Sequence, residues 1–134
     1  MPKLLLLLAV LLGGPAAPDL ELWWFASVEY PNLAHVAQIG GVVIADATLD
    51  REGKVATVTI VSGHAMLVDA VRHHMKKLRF SCQERKSPAG MKYRGIYEFE
   101  IDRNCDENAG CYEASTVYRD GRWIVKASKP QINN

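Results

Sequence analysis

The chain has 134 residues, 49% of them hydrophobic and 23% charged, with Lys+Arg 16 against Asp+Glu 15. That balance describes one ordinary folded domain, and with 10 Gly and 6 Pro it excludes a disordered tail, a linker or a fibrous chain. A formal net charge of +1 also excludes a dedicated nucleic-acid binder, because neutralising phosphates needs an excess of Lys and Arg on one face.

The apolar content is concentrated at the start. Lys3 precedes the unbroken run Leu4 to Leu12, and Gly13, Gly14, Pro15, Ala16 and Ala17 follow it. A basic start, an apolar stretch of about 7–15 residues and a small-residue exit form the layout of a cleaved secretory signal, here residues 1–17. An uncleaved membrane anchor is the alternative, but the run falls well short of the roughly 20 residues that cross a bilayer core. Export predicts a periplasmic or secreted protein. Losing Lys3 would bring the basic and acidic side chains of the mature chain into balance. Trp23, Trp24 and Phe25 follow, and three aromatics in a row call either for packing against the domain or for an outside contact.

Beyond Tyr30-Pro31, the segment Asn32 to Ile39 places Leu33, Val36 and Ala37 on one helical side, and Gly40-Gly41 stops it. Val42 to Leu49 alternates, with Val43, Ala45, Ala47 and Leu49 on one face, which predicts a half-buried strand. The polar turn Asp50-Arg51-Glu52-Gly53 leads into the β-branched run Lys54 to Ser62, so a β-hairpin is expected. Ala65 to Phe80 carries Leu67, Val71, Met75 and Leu78 at helical spacing and predicts an amphipathic helix, which His64 opens. After a turn at Pro88-Ala89-Gly90, Tyr93 to Ile101 predicts a third strand about 30 Å long. Asp120-Gly121 then joins two strand-like runs, Tyr112 to Tyr118 and Arg122 to Ala127, as a second hairpin. The fold class is therefore α+β.

Export also governs how the 3 cysteines are read. Cys105 and Cys111 bracket a short polar stretch and are the candidate disulfide, which leaves Cys82 either as a small buried hydrophobe or as a free thiol. His64, His73, His74 and Cys82 raise the question of a metal, but adjacent histidines diverge on a helix, whereas helical ligand pairs need i,i+4 spacing. No metal or cofactor is expected. The reactive residue types Ser62, His64, Asp69 and Cys82 belong to no Gly-x-Ser-x-Gly elbow, phosphate loop or His-Glu-x-x-His motif, so no catalytic residue is assigned.

The order helix, hairpin, helix, strand carries further markers: Tyr30-Pro31 at the head, Gly41, Glu52-Gly53-Lys54-Val55, Val58, Ile60, Ser62-Gly63, Ala70, Met75 and Arg79-Phe80. Over residues 28–101 it resembles the C-terminal domain of the TonB energy-transducer family. The resemblance implies a two-layer TonB/TolA C-terminal-like domain, a periplasmic location, and binding of a short segment of an outer-membrane transporter as an added strand. It makes the third strand the candidate open edge, with Tyr93, Ile96, Tyr97, Phe99 and Ile101, and makes Tyr30 and Pro31 of the entry segment a second contact. Pairing of two copies through edge strands would give a homodimer.

Three departures qualify the resemblance. Leu78 stands where the family commonly has Trp, and Ser81-Cys82 stands where a Pro follows the aromatic. No Pro-rich spacer lies between Ala17 and Tyr30, so force transmission is not expected of this chain alone; an envelope interaction module without energy transduction is the alternative, ahead of a small secreted hydrolase or metal-binding protein. Residues 102–134 form a cysteine-bearing extension, and its hairpin has the means to cover the edge strand.

Overall fold

A computed structural model describes residues 20–82, 87–102 and 115–128. The proposed signal, residues 1–17, and the candidate pair Cys105 and Cys111 lie outside those residues. The elements are β1 (Leu20–Trp24), α1 (Asn32–Val36), β2 (Gly41–Leu49), β3 (Val55–Ser62), α2 (Ala65–Met75), β4 (Arg79–Cys82), β5 (Lys92–Asp102), β6 (Ser115–Arg119) and β7 (Arg122–Ser128).

The alternation in β2 does what period two requires: Val43, Ala45, Ala47 and Leu49 are buried on one face. Two of these are alanines, so α2 can approach closely and lay Leu67, Val71 and Met75 against the sheet. The sheet has five strands in the order β3-β2-β5-β7-β6. β2 pairs antiparallel with both β3 and β5, and its register with β5 runs from Gly41↔Phe99 to Thr48↔Lys92. β7 lies parallel to β5, from Ile96↔Arg122 to Asp102↔Ser128, and β6 closes the far side as the antiparallel partner of β7. Asp120 and Gly121 both take positive φ, 51° and 75°, which gives this two-residue hairpin loop the twist its strands need.

Two expectations change. The second helix stops at Met75 instead of running on to Phe80, because the chain beyond it is drawn into extended pairing. Phe80 N–H donates to the Gly53 carbonyl at 2.9 Å, and β4 pairs with β1, Leu22 opposite Phe80 and Leu20 opposite Cys82. Leu78 and Phe80 are still core residues, reached from a turn and a strand. Gly53 takes φ +79°, and a Cβ there would sit 1.8 Å from the Phe80 carbonyl oxygen, so only glycine allows this crossing. His64 does open α2: its Nδ1 accepts from Met66 N–H at 3.1 Å.

The second correction concerns the third strand. β5 is an interior strand, paired with β2 on one side and with β7 along Ile96 to Asp102 on the other. Ile96, Tyr97 and Phe99 are paired on both sides and therefore do not line an open edge, whereas Tyr93 is paired with β2 alone and Ile101 with β7 alone; on the β7 side Lys92 to Gly95 lack a strand partner among the described residues. The extension supplies the cover, and its Trp123, Val125 and Ala127 belong to the same core as α2 and β2.

Candidate functional site

Tyr97 and Phe99 point from β5 into the core and are almost fully buried, whereas Ile96 lies on the opposite face. Trp123 of β7 stacks on Tyr97 at 6.0 Å between ring centroids, and its indole N–H donates to the Tyr93 hydroxyl at 3.0 Å. Burial pushes the phenols of Tyr93 and Tyr97 up, well above the ordinary tyrosine range. The aromatic side chains of β5 thus hold the extension in place.

His74 of α2 ties these layers together. Its ring is 2% exposed, edge-on to Tyr97 and Trp123. The Ala26 carbonyl, at 2.7 Å from Nε2, can only accept, so Nε2 carries the proton and Nδ1 accepts from the Tyr97 hydroxyl at 2.8 Å. Burial lowers its pKa to about 4 despite the carbonyl contact, so at neutral pH it is an uncharged strut. His73 beside it is exposed, and among the described residues no three His, Cys, Asp or Glu side chains gather as a metal would require. Cys82 is a free, half-buried thiol whose sulfur lies 3.8 Å from that of Met91.

The entry segment packs against β6 and β7 beside His74 of α2. Val28 N–H donates to Thr116 Oγ1 at 2.9 Å, and that hydroxyl donates back to the Val28 carbonyl at 3.3 Å. Phe25 packs edge-on to Trp123 at 5.2 Å yet stays 50% exposed, and Trp23 and Trp24 are exposed as well. Further along, the Tyr30 hydroxyl donates to the Ile39 carbonyl at 2.5 Å, and the ring packs against Phe99. Glu29, Tyr30, Pro31 and Leu33 face Met66 and Asp69 of α2 across a cleft of about 540 Å³. Leu33 at its mouth is 75% exposed. The structure thus brings Tyr30 and Pro31 to a cleft wall and places Ile96 to Phe99 between β2 and β7, with Tyr93 paired to β2 alone and Ile101 to β7 alone.

The face of the sheet away from α2 carries cross-strand ion pairs. Arg94 makes a bidentate contact with Asp46 at 2.8 and 2.9 Å, which holds that carboxyl below its ordinary pKa, and Arg122 bonds Glu98. Among the described strands, those with one unpaired side in the five-stranded sheet are β3 and β6.

Sequence reasoning missed β1, whose partner β4 begins at Arg79-Phe80 within the expected helix, and missed the role of His74. One signal for the latter was present: His74 lies three residues from Val71 and seven from Leu67, on the apolar stripe of α2.

Comparison with known proteins gives one family model, Gram-negative bacterial TonB protein C-terminal, matching residues 26–101. The solution NMR structure of the Pseudomonas aeruginosa TonB C-terminal domain is similar in fold, with a TM-score of 0.56 at 20% identity. The match covers 64% of this chain and 90% of that one. No curated protein matches this chain.

Proposed function

The chain belongs to the TonB C-terminal family, and from that premise we propose that it is an exported envelope module that holds an extended segment of an outer-membrane transporter by adding it as a strand. The family's role in transport energy transduction is periplasmic and not enzymatic. Among the described residues no helix is long and apolar enough to cross a membrane. The observation that carries the strand-addition reading is that, among the described strands, the sheet ends on β3 and β6, each paired on one side, whose outward N–H and C=O groups are donors and acceptors for a further strand. The wall formed by Tyr30 and Pro31 is the second contact, where Leu33 and Met66 offer apolar surface beside the carboxylates of Glu29 and Asp69.

Photo-reactive residues placed at Leu33 and at Val117 of the full-length protein, activated in the intact envelope, test this reading. Covalent adducts with outer-membrane transporters are expected. Adducts confined to other envelope proteins, or none, would remove the transporter as the partner.

A further inference from the structure

We propose that β6 is the docking edge, and that it selects an extended peptide carrying a carboxylate at one position and an apolar side chain at the next. This rests on the strand-addition reading and names its place and its chemistry. The extension has covered β5 with β7 from Ile96 to Asp102 and leaves only the short stretch Lys92 to Gly95, so among the described strands a full-length guest strand can join without displacing part of the core at the ends of the sheet.

The two ends differ. Along β2 and β3 the register slips twice, from Ser62 to Ile60 opposite Ile44-Ala45 and from Thr57 to Val55 opposite Thr48-Leu49. Val61 and Ala56 are therefore extra residues in β3, and such bulges twist an edge and protect it from pairing. Between them only Thr57 to Ile60 stays regular, without a charged side chain to orient a guest. In β6 the register with β7 is unbroken from Ser115↔Lys126 to Arg119↔Arg122, so its outer side, which pairs with none of the described strands, presents a regular ladder.

Side chains specify the guest. Arg119 lies directly opposite Arg122 on the face away from α2, a like-charge pair. Arg122 is compensated by Glu98, and Arg119 has no carboxylate partner among the described residues. A strand added beyond β6 brings its own residue opposite Arg119, and a carboxylate there completes the row Glu98, Arg122, Arg119 with alternating support. One residue along, on the opposite face, the 42% exposed Tyr118 rests on Trp123 at 4.6 Å, with Phe25 against the same indole. An apolar guest side chain would meet that aromatic ledge.

The test titrates isotope-labelled full chain with acetyl-Asp-Val-Thr-Val-Asp-amide, whose two ends let either strand direction present a carboxylate, and with the same peptide bearing Lys for Asp. At millimolar concentration the acidic peptide is expected to shift the amide signals of Ser115 to Arg119. Arg119→Glu, an exposed position that leaves the fold intact, should weaken the acidic peptide by about tenfold and reverse the preference toward the Lys peptide. Signals that move only at Lys92 to Gly95 or Thr57 to Ile60 would remove β6 while leaving strand addition standing. Equal binding of both peptides, no response at β6 to either, or β6 signals that shift with protein concentration alone through pairing with a second copy would each overturn the proposal.

Discussion

His74 sets the acid sensitivity of the fold. Its pKa is about 4 in the folded chain and ordinarily near 6.5, so between those values the unfolded chain binds more protons and stability rises with pH. The contribution is fully present above about pH 6.5 and is lost as pH falls toward 4, a difference of roughly 3 kcal/mol for this one group. Urea midpoints measured from pH 7 to pH 4 should therefore fall, and His74→Gln should flatten the profile while lowering stability at pH 7. An unchanged profile in that variant would assign the acid sensitivity elsewhere. Gly53 makes a second residue-scale prediction: Gly53→Ala drives a methyl into the Phe80 carbonyl and forces a left-handed backbone on a residue with a Cβ, at a cost of about 3 kcal/mol or more, read as a lower denaturant midpoint. Both features were only half visible in the sequence. The turn glycine was read from Asp50 to Gly53, but the backbone it touches comes from a segment whose apolar spacing mimics a helix.

Among the elements, β2, β5 and most of α2 were legible because each buries one face, and burial writes its period into the sequence, whereas β3 was legible from its β-branched run after the Asp50 to Gly53 turn. The hairpin of β6 and β7 was legible from Asp120-Gly121 for the same local reason. Its destination was not. Parallel pairing of β7 with β5 leaves no periodic signature, since both strands would alternate identically beside any partner. Nor was β1 legible: Leu20–Trp24 is short, and its ladder depends on β4 leaving the helix. The candidate site suffered most, since an interior β5 and an edge β5 share one alternation pattern. Because β7 is flanked on both sides, Ile124→Pro must break a ladder bond with β5 or β6. The expected loss is about 3 kcal/mol, with Trp123 fluorescence shifted toward that of a solvated indole.

For the molecule as a whole, one core joins α2, the five-stranded sheet and the entry segment, and stability should grade outward from it. Native-state hydrogen exchange is expected to be slowest in β2 and β5, which are paired on both sides, and fastest in β1, β4 and the outer side of β6. Equal protection in β6 and β5 would mean that the outer strand is covered in solution.

The parallel seat of β7 also gives the molecule a history. A chain is made from its N-terminus, so β5 is complete at Asp102 well before Ser128 exists to lie beside it. At about 5–20 residues per second that interval lasts one to several seconds, far longer than the microseconds a hairpin needs to form. Throughout it, the outer side of β5 is bare and β2 is already available to hold it. A neighbouring nascent chain that offers its own finished hairpin would fit the same seat, so crowded synthesis should favour exchanged pairs of chains, and dilute synthesis should favour single ones.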